Sequence, residues 1–254
     1  MRFCRFLDGL AEKKGIVDGD VIREIEGSFF GEYVVTDRVR DFASAKLLPP
    51  VNPSKFVCVA RNYSEHAKEL GNEVPEVPMI FLKPSTAVCG HGDEVIFPRT
   101  SQHVDFEGEL AVVIGQKCRK VKREHAERYI FGYTCINDYT ARDLQKIDNK
   151  FARAKGFDTF APIGPVIQTD FDWRTARIKT FVNGELKQDG TTDLMINDVP
   201  ALIEFMSEIM TLLPGDVIAT GTPAGIGRVQ VGDTVDVEIE GIGRLSNVIA
   251  ADGK

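Results

Sequence analysis

The segment Val104–Asp138 constrains this chain most, because it contains two acidic residues at alternating positions beside a short apolar strand. Leu110–Gly115 is an apolar run of strand type that ends at a glycine. If this strand extends back through Glu107, its side chains alternate between two faces, so Glu107 and Glu109 point the same way. Two neighbouring carboxylates repel one another unless positive charge lies between them.

A third acidic residue can join this pair. A second apolar stretch, Tyr133–Ile136, is followed directly by Asn137 and Asp138, so the carboxylate of Asp138 could complete a cluster. Hard divalent cations such as Mg²⁺ and Ca²⁺ prefer oxygen ligands of this kind. The spacing therefore allows a metal site, and it also allows a solvated strand face that carries no metal.

Composition and charge exclude several classes of protein. The 254 residues are 43% hydrophobic and 27% charged, which is ordinary for a globular protein, and the net charge of −7 argues against a nucleic-acid-binding surface. No apolar run approaches the roughly 20 residues that span a bilayer. The N-terminal residues lack the apolar core of a signal peptide, and the five cysteines are scattered without a Cys-x-x-Cys pair. We therefore expect a cytoplasmic protein with free thiols and no membrane partner.

The chain is predicted to divide into a small N-terminal domain, residues 1–50, and a larger domain, residues 51–254. The N-terminal part combines short apolar stretches with turn signals, and it ends in the proline-rich connector Leu48–Pro53. Apolar residues recur at helical spacing over Asp198–Leu212, which predicts the clearest helix of the chain. Shorter helices are predicted over 64–70, with Asn62 as its cap, and over 122–129 and 140–149.

Several charged residues are candidates for catalysis on their chemistry alone. His66 and Glu69 lie three residues apart on a predicted helix, so Glu69 can orient His66 and raise its basicity. Lys83, Lys155 and Arg142 could each bind a carboxylate or an oxyanion near a metal site. Each of these side chains, taken singly, is more often an ordinary surface charge.

Six stretches in the same order resemble the fumarylacetoacetate hydrolase family over roughly residues 55–250. Any one of them would be weak evidence, but their joint order is specific. They are Val59–His66, Phe81–Thr86, Val104–Leu110, Asn137–Gln145, Lys155–Phe160 and Gly221–Gly225.

The resemblance implies a fold, a metal and a set of site residues. The implied fold is α+β and β-rich, a mixed β-sandwich roll with a small N-terminal β domain, and the family suggests a homodimer. The implied metal is Mg²⁺ or Mn²⁺, with Ca²⁺ able to replace it in crystals, and its ligands are Glu107, Glu109 and Asp138. The implied catalytic residues are His66 and Glu69, as a dyad on a lid helix, and Lys155. The residues implied in substrate binding are Arg61, Tyr63, Lys83, Arg142, Gln145 and Thr222.

These residues predict an enzyme that acts on a 2-oxo acid. We expect hydrolysis of the C3–C4 bond of an acylpyruvate through a metal-stabilised pyruvate enolate, because His66 with Glu69 provides a base for water. Oxaloacetate decarboxylation could accompany this reaction. One alternative is an isomerase or decarboxylase of 2-hydroxyhepta-2,4-diene-1,7-dioate type in aromatic catabolism, and another is a non-catalytic binder of dicarboxylates. Fumarylacetoacetate itself is not expected as substrate, because the additional aspartate ligand of the true hydrolases has no match here.

Overall fold

The computed structural model describes residues 1–253 and shows the predicted β-rich α+β fold. The strands of the N-terminal part are β1 (Arg2–Asp8), β2 (Ala11–Asp18), β3 (Val21–Gly27), β4 (Tyr33–Asp41) and β5 (Leu47–Leu48). Among these 253 residues, no helix is both long enough and apolar enough to cross a membrane.

The larger part of the chain alternates short strands with a few short helices. Its first half contains β6 (Phe56–Ala60), α1 (Ser64–Glu69), β7 (Met79–Lys83), β8 (Val88–Cys89), β9 (Glu94–Phe97), β10 (Val104–Phe106), β11 (Gly108–Ile114), β12 (Ile130–Asn137), β13 (Thr140–Ala141), α2 (Arg142–Asp148) and α3 (Ala152–Lys155). Its second half contains β14 (Ala161–Gln168), β15 (Arg177–Val182), β16 (Glu185–Thr191), α4 (Val199–Ile209), β17 (Val217–Ala219), β18 (Gly227–Val229), β19 (Thr234–Ile239) and β20 (Gly243–Ala251).

A 12-stranded sheet runs through the molecule in the order β4-β3-β2-β1-β14-β12-β11-β17-β6-β7, with β5 and β8 beside this path. The N-terminal strands are part of it, because β1 pairs antiparallel with β14, where Phe3 lies opposite Ile167. The division into two domains near residue 50 stays a prediction.

A second, five-stranded sheet in the order β16-β15-β19-β20-β9 packs on the centre of the large sheet. The two sheets enclose a common core, to which β11 contributes Leu110 and Val112 and the second sheet contributes Ile178 and Val237. The alternate residues of β11, such as Ala111, face a separate core on the other side of the large sheet. Because β11 is buried on both faces, it reads in the sequence as a continuous apolar run.

The helices partly match their predictions. Helix α4 is confirmed, and Asp198 caps it by accepting a 3.0 Å hydrogen bond from the Ala201 N–H. Residues Arg123–Tyr129 form a 3₁₀-helix instead of the predicted α-helix, and α2 is shorter than predicted. The Asn62 cap of α1 was wrong, since Tyr63 occupies that position and the Asn62 amide bonds to other segments.

Replacing Leu202 with Ala tests the packing of α4. Leu202 is fully buried in the core between this helix and the large sheet. The substitution should lower the free energy of unfolding by about 2–5 kcal/mol, because it removes buried methyl groups and leaves a cavity. Denaturant unfolding measures this loss. Ile209→Ala is the matched control: Ile209 lies on the same helix but is 50% exposed, and the change should stay within about 0.5 kcal/mol. Equal losses would contradict the assigned face of α4.

Candidate active site

Glu107 lies where the chain passes from one sheet into another. Strand β10 ends at Phe106 and pairs with β13 and β18, whereas β11 begins at Gly108 and belongs to the large sheet. The strand therefore does not extend back through Glu107, which was the condition for placing Glu107 and Glu109 on one strand face. The break is held by hydrogen bonds: the Glu107 N–H donates to Asn137 Oδ1 (2.8 Å), and the Asp138 N–H donates to the Glu107 carbonyl (2.8 Å).

These bonds bring three carboxylates together. Glu107, Glu109 and Asp138 each offer an oxygen, and these oxygens lie within 4.8 Å of one another. All three residues are buried, with at most 4% of their surface exposed. Glycine is needed between the two glutamates, because a Cβ at Gly108 would lie 2.1 Å from Thr180 Oγ1. The close approach of β15 thus shapes the segment that carries both acidic residues.

Basic side chains compensate two of the three carboxylates. Lys155 Nζ donates to Glu107 Oε2 (2.8 Å) and to Asp138 Oδ2 (2.6 Å), and Arg142 forms a salt bridge with Glu107 Oε1. Burial would raise the pKa of the Glu107 carboxyl, but Lys155 and Arg142 outweigh it and hold this pKa well below its usual range. Burial would lower the pKa of Lys155, but Asp138 and Glu107 raise it to about 12. Both groups are therefore charged at neutral pH.

Glu109 is the carboxylate without such compensation. Its Oε2 accepts a 2.8 Å hydrogen bond from the Gly221 N–H, and within residues 1–253 it forms no salt bridge. Burial, followed by the charges of Asp138 and Glu107, raises the pKa of Glu109 well above its usual value. A divalent cation among the three groups would keep Glu109 ionised. The all-oxygen donor set fits Mg²⁺ or Mn²⁺ rather than zinc.

The predicted His66–Glu69 pair lies on helix α1 at the same cavity. His66 is buried, and its Nδ1 lies 3.3 Å from Glu69 Oε2. The Glu69 carboxylate also accepts hydrogen bonds from the Gly225 N–H, at 3.1 and 3.3 Å from its two oxygens. The glycine-rich turn that ends the Gly221–Gly225 segment therefore holds Glu69 in place.

One cavity joins most of the predicted site residues. Eight of them line it: Arg61, His66, Glu107, Glu109, Arg142, Gln145, Lys155 and Thr222. Four others do not: Tyr63, Glu69, Lys83 and Asp138. Asp138 and Glu69 instead contact residues that line the cavity, Asp138 through Lys155 and Glu69 through His66. Tyr63 is buried, and its hydroxyl has no hydrogen-bond partner among the described residues.

Lys83 does not occupy the substrate-lining position implied by the resemblance. It is 1% exposed, its Nζ donates to the Phe160 carbonyl at 2.6 Å, and it forms a salt bridge with Asp138 Oδ1. Lys83 therefore compensates the charge of Asp138 within the cluster. Lys83 is the last residue of β7, a largely half-buried strand at the edge of the sheet, and its own side chain is buried against Asp138 and Phe160.

Two residues of the site were missed at the sequence level. Asp105 Oδ2 accepts a 2.8 Å hydrogen bond from Arg142 Nε and so fixes the guanidinium. In the sequence, the position of Asp105 two residues before Glu107 could have indicated that it belongs to the site. Gln188 donates to Thr222 Oγ1 (2.7 Å) and accepts from the Gly108 N–H (3.0 Å). Nothing in the sequence distinguished Gln188, since it lies on β16, about 80 residues from Gly108.

The comparison with protein families agrees with this geometry. The model of the fumarylacetoacetate (FAA) hydrolase C-terminal domain matches residues 55–250, and the Rv2993c-like N-terminal model matches residues 1–50. This chain belongs to the fumarylacetoacetate hydrolase family. The resemblance of the six motifs is thus confirmed.

Known members of the family differ in their reactions. Oxaloacetate tautomerase YisK of Bacillus subtilis is 44% identical over 222 residues, which cover 82% of this chain and 74% of YisK. The crystal structure of 2-hydroxyhepta-2,4-diene-1,7-dioate isomerase from Mycobacterium marinum superposes with a TM-score of 0.93 at 44% identity and covers both chains completely. Maleylpyruvate hydrolase from Sphingobium sp. SYK-6, solved with manganese(II) and pyruvate, gives a TM-score of 0.83 at 31% identity and covers 99% of each chain.

Replacing Glu109 with Gln tests whether the cluster holds a cation. The amide keeps the shape but needs neither a buried charge nor proton uptake on folding, so at neutral pH the metal-free variant should be more stable than the metal-free parent. Mg²⁺ at 100 times its Kd should stabilise the parent by about 2.7 kcal/mol, and the variant should lose most of this gain. Thermal unfolding with and without Mg²⁺ measures both effects.

The control for this experiment is Glu94→Gln, which neutralises an exposed glutamate away from the cavity. It should respond to Mg²⁺ as the parent does. If Glu109→Gln is stabilised by Mg²⁺ as strongly as the parent, Glu109 is not a ligand.

Proposed function

We propose that this chain is a divalent-metal-dependent enzyme that moves a proton at C3 of a 2-oxo acid and so interconverts its keto and enol forms. One observation carries the proposal: His66, paired with Glu69, lines the same cavity as Glu107 and Glu109. A base beside an oxygen-ligand cluster is what enolisation of a 2-oxo acid requires. The 44% identity to a tautomerase and to an isomerase supports this reaction class.

Glu107, Glu109 and Asp138 are the residues that would hold Mg²⁺ or Mn²⁺. When bound, the ion supplies Lewis-acid polarisation of the substrate's 2-oxo group. The three carboxylates come from two separate strand ends and point to one spot.

His66 acts as the base in this proposal. With the proton on Nδ1, the ring donates to Glu69 and leaves Nε2 free to take a proton from C3. Glu69 keeps that orientation, because Gly225 holds its carboxylate in turn. The 2-oxo oxygen then receives a proton, which gives the enol. In the reverse direction the enol oxygen loses its proton and C3 receives one. Lys155 lines the cavity and provides positive charge where the oxyanion develops.

Hydrolysis of the C3–C4 bond of a 2,4-dioxo acid, the reaction expected from the sequence, is the second candidate. The same dyad can take a proton from water, whose oxygen then attacks C4. The C3–C4 bond breaks, C4 leaves as a carboxylic acid that contains the water oxygen, and His66 returns the proton to C3 to give pyruvate. The likeness to a maleylpyruvate hydrolase solved with pyruvate favours this alternative. The greater identity to the tautomerase and the isomerase supports proton transfer as our first candidate.

The homodimer and the cytoplasmic location remain predictions. All five cysteines of the chain lie among the described residues, and each is buried as a free thiol, which suits a reducing compartment.

Replacing His66 with Ala tests the proposed base. Enolisation of oxaloacetate, followed by ultraviolet absorbance with Mg²⁺ or Mn²⁺, should slow by about 10² or more. Mn²⁺ binding, measured by calorimetry, should be retained, because His66 is not among the proposed ligands.

The matched control is His125→Ala, which removes an exposed histidine and should leave the rate unchanged. Acylpyruvate hydrolysis and oxaloacetate decarboxylation are followed in the same panel. Full enolisation by His66→Ala would remove the dyad from the mechanism. A parent protein that binds these acids without converting any of them would be a binding protein instead.

A further inference from the structure

Among the described residues, three cationic side chains at the site form salt bridges with acidic side chains, and a fourth forms none. The bound ones are Lys83 with Asp138, Lys155 with Glu107 and Asp138, and Arg142 with Asp105 and Glu107. Their charge is used to compensate the buried carboxylates. They are poorly placed to form a further salt bridge with a second carboxylate of the substrate without releasing a partner.

Arg61 is the exception. It is half-buried and lines the same cavity as Glu109 and His66. Within residues 1–253, its guanidinium forms no hydrogen bond and no salt bridge. A guanidinium presents several N–H donors in a planar fork that matches a carboxylate. The cavity thus contains one uncommitted group of the right geometry for an additional anionic end of the substrate.

The backbone at Arg61 gives a second, independent observation. Arg61 connects β6 to α1 with a φ of +57°, in the left-handed region that favours glycine or asparagine. The next residue, Asn62, holds this turn in place. Its amide donates to the Thr220 and Asn197 carbonyls (2.8 and 2.9 Å) and accepts from the Asn197 N–H (2.9 Å).

A turn that served only to connect the strand to the helix would be better made by glycine. An arginine here opposes the backbone preference and carries its side chain to the cavity. Asn62 fixes the direction in which it leaves the main chain.

We infer that Arg61 selects 2-oxo diacids, by binding the distal carboxylate while the 2-oxo end of the substrate lies at the carboxylate cluster. This inference rests on the proposed function and names its substrate class. A diacid of oxaloacetate type is then preferred over a neutral-tailed acid such as acetylpyruvate. Arg61 binds substrate and takes no part in proton transfer.

Two variants separate the charge of Arg61 from its backbone conformation. Arg61→Asn removes the guanidinium but tolerates a positive φ, so the variant should fold at least as stably as the parent. Its KM for oxaloacetate should rise about 10-fold to 100-fold, as expected for the loss of a charge-assisted hydrogen-bonded pair. Its KM for acetylpyruvate should not change. Arg61→Lys should recover part of the loss, because it restores the charge without the fork.

Arg128→Asn controls for net charge. Arg128 is exposed, and its replacement changes the charge of the protein by the same amount, so neither KM should move. An Arg61→Asn variant whose KM rises equally for both substrates, or for neither, would overturn the inference.

A binding measurement separates failure of this inference from failure of the proposed function. Calorimetry with Mn²⁺ present compares malate with lactate, which differ by one carboxylate and need no turnover. The parent should bind malate more tightly, and Arg61→Asn should abolish the difference. If the parent converts no 2-oxo acid, the proposed function fails, while this comparison still decides the role of Arg61. Equal binding of malate and lactate by the parent would overturn the inference.

Discussion

Three buried carboxylates whose oxygens lie within 4.8 Å of one another can all stay ionised in a folded protein only where positive charge compensates them, because an unpaired buried ion costs on the order of several kcal/mol. Three basic side chains from separate elements provide positive charge around these carboxylates. Lys83 arrives from the end of β7, Arg142 from the start of α2 and Lys155 from the end of α3. These three cations leave Glu109 uncompensated, and this deficit is the physical basis for proposing a metal ion there.

The scaffold links this cluster to the dyad through one short segment, Gly221–Gly225. The Gly221 N–H donates to Glu109 and the Gly225 N–H donates to Glu69, so both ends of the segment hold a site carboxylate. Between them, Thr222 donates to the Gly108 carbonyl at 2.9 Å. Gln188, from the smaller sheet, braces Thr222 in turn. Packing of the two sheets therefore sets the relative positions of the proposed metal ligands and the proposed base.

The family relationship and the cavity point to the same kind of chemistry. A tautomerase, an isomerase and a hydrolase share this fold, and proton transfer at a carbon next to a carbonyl is common to the reactions proposed here. The outcome then depends on what the rest of the cavity binds. We propose that Arg61, which has no acidic partner among residues 1–253, selects the substrate.

The sequence by itself determined the elements that depend on local pattern. The apolar run Leu110–Ile114 predicted a buried strand and the spacing over Asp198–Leu212 predicted α4, because each pattern repeats with the period of its own element. The motif order predicted the family, and with it a set of residues of which eight line the cavity. Only the tertiary structure decided how charged groups pair. Lys83 pairs with Asp138 and does not line the cavity. Asp105 and Gln188 bond to site residues, and Arg61 has no polar partner within residues 1–253. These partners lie far apart in the chain, so their contacts follow from sheet topology and packing, which no local pattern records.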